Sequence, residues 1–358
     1  MPGDLRAAVE ALRRLAEESA TAVTVMEVCG THTVSAFRSG LRSVLPKSMR
    51  LISGPGCPVC VTDQGEIEAA LSLLRRGVVV VAYGDMFKVP SASGSLASMR
   101  GEGHDVRTAT SAMDALRVAE ENPGREVVFL GVGFETTAPA TATLVREARR
   151  KGIANLSVLS FHKRTPPAVE ALAGAADVQI SAFLLPGHVS VITGHEPFRF
   201  LADRFGLPAV IAGFDPEQIL LAMVEIARQI RAGAPELRSV YGTAVRPEGN
   251  RKALGLLDEV FSVRDARWRG IGLIPDSGYG LRGDYGDFDA ERRFSLVIVP
   301  GTPPAGCRCG DVLTGRITPP QCPLFRTACT PLSPVGPCMV SSEGTCGAYF
   351  RFHREERT

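Results

Sequence analysis

Apolar residues in the first two thirds of the chain form short unbroken runs, and stretches with helical spacing of apolar residues lie between them. The clearest run is residues 78–83, and residues 67–76 before it have helical periodicity. A strand that is buried on both faces of a parallel sheet reads as such a continuous, valine-rich run. The alternation of strands and helices predicts α/β units with parallel sheets and right-handed crossovers.

Seven runs are predicted as strands, and four longer stretches are predicted as helices that separate or follow them. The strands are residues 23–28, 49–53, 78–83, 127–131, 156–160, 178–184 and 209–212, and the helices are residues 67–76, 140–151, 169–175 and 216–230. This pattern predicts two doubly wound parallel-sheet α/β domains, over residues 1–115 and 116–236.

The composition changes after about residue 237. Residues 301–347 contain eight prolines and six cysteines but little periodicity. A segment with so little regular pattern cannot easily build an apolar core of its own, and a metal cluster is the natural candidate for ordering it. We therefore expect an irregular cysteine-rich iron–sulfur domain over residues 237–358.

Charge and hydropathy narrow the function classes. The 358 residues include 40 basic and 38 acidic side chains, for a net charge of +2, and no basic run suggests nucleic-acid binding. No apolar run exceeds six residues, far below the roughly 20 that span a bilayer. The N-terminal stretch reads as an amphipathic helix rather than a signal peptide. These features predict a cytoplasmic protein without membrane or nucleic-acid partners.

Nine cysteines in a reducing compartment call for a role other than structural disulfides. Four late ones, Cys322, Cys329, Cys338 and Cys346, are seven to nine residues apart, each near proline or glycine. Turns at these residues would let the thiolates converge, and four thiolates suit either zinc or a [4Fe–4S] cluster. Structural zinc usually uses closer pairs, which favours the cluster, and free or redox-active thiols are the remaining alternative. Cys307 and Cys309 bring the late cysteines to six, two more than the four ligand positions of a cluster, and they have no assigned role.

The early cysteines end predicted strands. Cys57 and Cys60 form a C-x-x-C pair ahead of a predicted helix, whose N-terminus would stabilise thiolate. Half of a zinc site and a fortuitous pair are the alternatives. Cys29 and His32 follow the first strand, although a free cysteine is often simply a buried apolar residue. Ligands of open α/β sheets bind at the carboxyl ends of strands. We therefore expect both motifs, including the imidazole, to face one cleft.

Further polar residues follow predicted strands in the middle of the chain. The stretch from Gly131 to Thr137 is a near miss to the G-x-G-x-x-G fingerprint, with Thr136 in place of the third glycine. His162 and His188 also come directly after strands. A single such histidine is more often structural, but several around one cleft favour a functional site.

Five motifs together resemble those of the HypD family of hydrogenase maturation proteins. They are MEVCGTH at residues 26–32, GPGCPVC at 54–60, GFETTAP at 133–139, FHK at 161–163 and GPCMVSSEGTC at 336–346. They occur in order along nearly the whole chain, and the first, second and last are highly specific. Some family members have a second histidine where this chain has Val34.

The resemblance implies a role for each cysteine motif. Cys29 would ligate the iron of an Fe(CN)2CO unit, with His32 as a site residue, and Cys57 and Cys60 would be a redox pair near that iron. A [4Fe–4S] cluster would be held by the four late cysteines, Cys322, Cys329, Cys338 and Cys346. The family works with a small chaperone of the HypC type and a cyanide donor of the HypE type.

The resemblance therefore implies a redox-active assembly scaffold for [NiFe]-hydrogenases, with no standard turnover reaction assigned. The main alternative is a [4Fe–4S]-dependent disulfide reductase that acts on a thioredoxin-like partner and needs only the C-x-x-C pair. A zinc-structured binding protein without redox chemistry is a further alternative.

Overall fold

Two parallel sheets and one antiparallel hairpin form the framework of the protein. The computed structural model describes residues 2–17, 22–176, 178–242 and 244–353. The strands are β1 (Val23–Glu27), β2 (Met49–Ser53), β3 (Val79–Tyr83), β4 (Val106–Ala109), β5 (Val127–Gly133), β6 (Leu156–His162), β7 (Ala182–Pro186), β8 (Ala209–Ala212), β9 (Leu237–Ser239), β10 (Phe261–Trp268) and β11 (Gly272–Leu281).

Helices connect most of the strands, and several short ones lie near the C-terminus. They are α1 (Pro2–Glu17), α2 (Gly30–Arg38), α3 (Leu41–Val44), α4 (Pro58–Val61), α5 (Gln64–Arg75), α6 (Leu96–Gly101), α7 (Met113–Glu121), α8 (Ala138–Lys151), α9 (Thr165–Ala173), α10 (Gly187–Thr193), α11 (Phe200–Asp203), α12 (Pro216–Ala232), α13 (Arg251–Val260), α14 (Ala290–Arg293), α15 (Cys309–Leu313), α16 (Pro337–Val340) and α17 (Thr345–Phe352). None of the helices in the described ranges has the length and hydropathy needed to cross a membrane.

The first sheet has the strand order β2-β1-β7-β8-β9 and the second has the order β4-β3-β5-β6. All neighbouring strands in both sheets are parallel, as the valine-rich runs predict. The hairpin of β10 and β11 is antiparallel. The mixed α/β class with parallel sheets is thus confirmed.

The sheets divide the chain differently from the expected ranges 1–115 and 116–236. β3 and β4 precede residue 115 but pair within the second sheet, whereas β7, β8 and β9 return to the first. The chain therefore crosses between the sheets after β2 and again after β6. Apolar runs predict that strands exist but do not say which strands pair, so this division could not be read from them.

Four strands escaped the sequence analysis, namely β4, β9 and the hairpin strands β10 and β11, and one was displaced. β4 and β9 are short edge strands with partly exposed residues, so neither shows a continuous apolar run. The expected strand at residues 178–184 begins only at Ala182. The other predicted strands agree with the structure to within about two residues.

Each sheet buries one face in a core of its own and the other face in a core that both share. Alternate residues of a strand point to opposite faces. In the first sheet, Val25 belongs to the separate core and Met26 to the shared one. In the second sheet, Val81 belongs to a separate core and Val80 to the shared one. The shared core fixes the two sheets against each other.

A buried ion pair connects the end of β6 with helix α5. Lys163, just after β6, is 1% exposed, and its Nζ lies 2.5 Å from Oε1 of Glu66 in α5. Glu66 also accepts a hydrogen bond from the backbone N–H of Asp63 at 2.8 Å, which completes a capping box at the start of α5. The lysine of the FHK motif therefore has a structural partner.

Candidate functional site

The carboxyl ends of strands from both sheets meet at a cavity of about 520 Å³. Its walls include Cys29 after β1, Tyr83 at the end of β3, Gly133 at the end of β5 and Pro186 at the end of β7. Binding sites of open parallel sheets form at these ends. The expected cleft therefore exists, and both sheets contribute to it.

Cys29 lies where β1 ends and α2 begins. It is the N-cap residue of α2, is 8% exposed and lines the cavity. The backbone N–H of Gly30 donates to the carbonyl oxygen of Gly56 at 3.1 Å. A Cβ atom at residue 56 would overlap the Cys29 backbone, so only glycine permits this approach. The GPGCPVC loop is thus packed directly on the cysteine.

The Cys29 thiol is protonated at neutral pH. Burial raises its pKa to about 11; the hydrogen bond from the His32 backbone N–H opposes this shift, and the Glu343 carboxylate adds to it. A buried thiolate is unfavourable without a compensating positive charge. A bound metal cation would supply that charge, because it replaces the proton on sulfur.

Cys57 and Cys60 are joined by a disulfide in this structure. Cys57 is the N-cap of α4, and its sulfur accepts a hydrogen bond from the Cys60 backbone N–H at 3.3 Å. Both side chains are buried in the shared core, while neighbouring Gly56, Pro58 and Val59 line the cavity. The pair therefore lies immediately behind the cavity wall.

His32 does not line the cavity, contrary to the expectation that its imidazole faces the cleft. Its ring is buried and donates from Nε2 to the carbonyl oxygen of Gly213 at 2.9 Å. Burial lowers its pKa to about 4, so the imidazole is neutral. The hydrogen bond to Gly213 holds the imidazole of His32 away from the cavity that Cys29 lines.

His188 supplies the imidazole that lines the cavity. Its ring stacks on Phe214 at a centroid distance of 3.8 Å, and His32 lies on the same phenyl ring at 4.9 Å. Partial burial lowers the pKa of His188, with the Glu343 carboxylate opposing the shift. The histidine after β7 is therefore the better-placed hydrogen-bonding group.

Two acidic residues in the cavity wall were not singled out by the sequence analysis. Glu343 lies between Cys338 and Cys346 in sequence, and its Oε1 accepts a hydrogen bond from the Thr31 hydroxyl at 2.6 Å. Asp85 follows β3, and burial raises the pKa of its carboxyl group. Asp85 follows a predicted strand, and this position could have marked it as a candidate site residue. No local sequence pattern predicts the contact of Glu343 with Thr31.

The glutamate of the GFETT loop, Glu135, has a mainly structural role. Glu135 is buried and accepts hydrogen bonds from the backbone N–H and the hydroxyl of Thr165 at 2.7 and 2.9 Å. Phe134 lines the cavity and stacks on Trp268 at a centroid distance of 5.8 Å. Gly133 has a φ of +151°, where a side chain would also overlap Thr137. The loop shapes the cavity wall.

The late cysteines lie close to one another, and the segment that carries them also contributes Glu343 to the cavity wall. Cys309 and Cys338 are buried, with their sulfurs 2.9 Å apart. A hydrogen bond with Cys338 lowers the pKa of Cys346, but burial and the charges of Cys309, Cys329 and Cys322 raise it, so the net shift is upward. The thiols that lie close to one another therefore include all four predicted cluster ligands. Across the described ranges, no three His, Cys, Asp or Glu side chains have a ready-made metal-binding arrangement.

The chemistry around these thiols suits an anionic iron–sulfur cluster. The backbone N–H of Val335 donates to the sulfur of Cys329 at 3.4 Å. Arg269 is 5% exposed, and its Nη2 is buried without a hydrogen-bond partner among the described residues. Soft thiolates, an N–H donor to sulfur and a buried cation are the groups that hold such a cluster.

The two cysteine groups are neighbours. Helix α16, which carries Cys338, packs against α4, which carries Cys60. Both cysteines are fully buried in the shared core. The cavity, the disulfide and the late cysteines therefore form one continuous region.

A family profile matches residues 4–353, nearly the whole chain. The profile is that of HypD, described as "Hydrogenase formation hypA family". Its extent is consistent with the spread of the five motifs along the sequence.

Several relatives align over almost their full length. The chain is 39% identical over 350 residues to a putative hydrogenase expression/formation protein of Methanocaldococcus jannaschii, covering 98% of this chain and 97% of that protein. It is 43% identical over 346 residues to hydrogenase maturation factor HypD2 of Bradyrhizobium diazoefficiens, with coverages of 93% and 91%. It is 42% identical over 338 residues to hydrogenase maturation factor HypD of Cupriavidus necator, with coverages of 92% and 89%.

The raised pKa of Cys29 predicts slow alkylation in the folded, metal-free protein. A shift from 9.0 to about 11 leaves about 100-fold less thiolate at pH 8, so iodoacetamide should label Cys29 about 100-fold more slowly than an ordinary thiol. The rate should rise steeply between about pH 9 and 11. Timed labelling with peptide mass spectrometry measures it, and urea-unfolded protein is the control. Equal rates at pH 8 in folded and unfolded protein would contradict the assignment.

Proposed function

This chain belongs to the HypD family and is a hydrogenase maturation factor, and we propose that it is the redox-active scaffold on which the Fe(CN)2CO unit of [NiFe]-hydrogenases is assembled and carried. The observation that carries the proposal is the position of Cys29. It is the only thiol in the described wall of the cavity, and the Cys57–Cys60 disulfide lies directly behind it.

Cys29 is proposed as the protein's own ligand to the iron cargo. Low-spin iron with CO and cyanide ligands prefers soft donors, and a thiolate is the softest donor that a side chain provides. The thiol keeps its proton until iron arrives, because burial disfavours the free thiolate. A cavity of about 520 Å³ leaves room for the diatomic ligands and for a ligand from a partner protein.

Polar groups in the cavity wall can orient the diatomic ligands. The imidazole of His188 faces the cavity and can donate a hydrogen bond to a cyanide nitrogen. The Thr31 hydroxyl is fixed by Glu343 at 2.6 Å, which keeps that edge of the wall rigid. The proposed contribution of His32 is indirect, since it supports the Phe214 ring on which His188 stacks.

The cysteine pair and the late cysteines are proposed to supply electrons to this site. Cys57 and Cys60 would cycle between disulfide and dithiol, which takes up or releases two electrons and two protons. Cys322, Cys329, Cys338 and Cys346 would hold a [4Fe–4S] cluster, which supplies single electrons when bound. The packing of α16 on α4 supports this proposal, because it keeps the two groups adjacent.

Two partner proteins complete the proposed assembly. A small chaperone of the HypC type would contribute a second thiolate to the iron, and a donor of the HypE type would supply cyanide. The strand-end loops around the cavity support this arrangement, because an iron unit that must be handed on requires a site that a partner can reach.

Cys57 and Cys60 are predicted to form a reversible dithiol/disulfide couple. Reduction of the folded protein should expose two additional alkylatable thiols, both in the peptide that contains residues 57–60, and reoxidation should remove them. Differential alkylation with mass spectrometry tests this. A pair that resists labelling under every redox condition, or that remains bound to zinc, would refute the redox role.

Replacement of Cys338 by serine should lower bound iron and destabilise the segment of residues 301–347. The buried side chains of this segment belong to the shared core but have little regular structure around them, so loss of a cluster ligand would remove bonds that tie the segment together. Iron and sulfide analysis and the broad absorption near roughly 400 nm of a [4Fe–4S] centre provide the readout. The matched control is Cys307→Ser, which alters a half-buried thiol outside the predicted ligand set. Unchanged iron and absorption in Cys338→Ser would exclude Cys338 as a ligand.

Cys29→Ala should keep the cluster absorption but abolish the infrared bands of CO and cyanide and stop hydrogenase maturation. The reason is that the substitution removes the cargo ligand and leaves every late cysteine in place. Anaerobic infrared and absorption spectra of the protein isolated with its small partner test both parts. The disulfide-reductase alternative makes the opposite forecast, because it does not require Cys29. If the bands were retained, the iron ligand would have to be a group other than Cys29.

A further inference from the structure

Arg269 occupies the turn between β10 and β11 and is anchored on the helix that carries the disulfide. Its backbone N–H donates to the carbonyl oxygen of Val61 at 2.8 Å, and its Nε donates to the carbonyl oxygen of Thr62, also at 2.8 Å. Val61 is the last residue of α4 and Thr62 is its C-cap. A cation at this end is favourable, since carbonyl groups there have no partner within the helix.

One nitrogen of the Arg269 guanidinium takes no part in these hydrogen bonds. Nη2 is buried and has no hydrogen-bond partner among the described residues, although Arg269 as a whole is 5% exposed. An arginine is always charged, and a buried charge with an unsatisfied donor is unfavourable. The position therefore calls for an anionic acceptor that belongs to the complete protein.

The other side of the same turn touches the late cysteines. A Cβ atom on Gly270 would overlap the backbone of Gly310, and Gly270 has a φ of +81°. Gly310 directly follows Cys309, whose sulfur lies 2.9 Å from that of Cys338. The turn that carries Arg269 is thus in backbone contact with the segment that holds the late cysteines.

We propose that Arg269 donates its free Nη2–H to a sulfur of the cysteine-bound iron–sulfur cluster and raises the cluster's reduction potential. This inference rests on the proposed function, because it requires that the late cysteines hold a cluster. Addition of an electron makes the cluster more negative, so a fixed positive charge and a hydrogen bond to sulfur both favour the reduced form. Burial strengthens the effect, because solvent does not screen the charge.

The same side chain also connects the two redox groups mechanically. Its Nε and backbone N–H hold the end of α4, while Nη2 has no partner among the described residues and is available to the proposed cluster. The rigid fork of a guanidinium allows both sets of contacts at once, which a lysine ammonium cannot reproduce. Arg269 is therefore a positioning residue between the disulfide and the cluster.

An equilibrium redox titration of the full-length, anaerobically reconstituted protein tests the proposal. Arg269→Gln removes the charge and should lower the ratio of reduced to oxidised cluster at least tenfold at a fixed potential, which is a shift of 59 mV for a one-electron couple. Arg269→Lys keeps the charge but loses the fork, so a smaller shift in the same direction is expected. Absorption near roughly 400 nm follows the cluster.

Arg267→Gln is the matched control. It removes the same charge from the same hairpin, but Arg267 lines a different cavity together with Lys163 and Glu66. In this variant the ratio of reduced to oxidised cluster at a fixed potential should change less than twofold. A full cluster with unchanged potential in Arg269→Gln overturns the proposal. If that variant retains no cluster, Arg269→Lys decides by the same criterion. Failure of the wild-type protein itself to bind a cluster would instead refute the proposed function.

Discussion

The burial of one face of each parallel sheet in the same apolar core is the constraint on which the rest of the structure depends. It places the carboxyl ends of β1 and β7 opposite those of β3 and β5, and the cavity forms between them. Neither sheet alone encloses this space. The core also contains Cys60 and Cys338, so the packing that joins the sheets brings the disulfide next to the cysteine-rich segment.

Burial also determines the chemistry of the region. It keeps Cys29 protonated and His32 neutral, and both groups therefore lack charge at neutral pH before a ligand binds. A cationic metal is favoured beside Cys29, since it makes the thiolate acceptable in a medium of low polarity. Arg269 presents the complementary case, because its buried positive charge is suited to an anionic cluster. The two ends of the region thus favour opposite charges.

Sequence patterns predicted seven of the nine parallel strands, the α/β class and the cavity at the strand ends, because periodicity and turn residues act locally. They did not predict which strands pair, and the division at residue 115 consequently differs from the sheets. Long-range contacts account for the other omissions. Glu343 reaches Thr31 across 312 residues of sequence, and Arg269 reaches Thr62 across 207. The direction of His32 also depended on a tertiary hydrogen bond to Gly213.

The central claim is that the cavity beside Cys29 carries iron with CO and cyanide ligands. The infrared spectrum of the wild-type protein, isolated anaerobically together with its small partner, tests this claim most directly. The account predicts bands in both the CO and the cyanide stretching regions, and growth on isotopically labelled cyanide precursors should shift only the latter. A spectrum without bands in either region, from protein with a full iron–sulfur cluster, would contradict it.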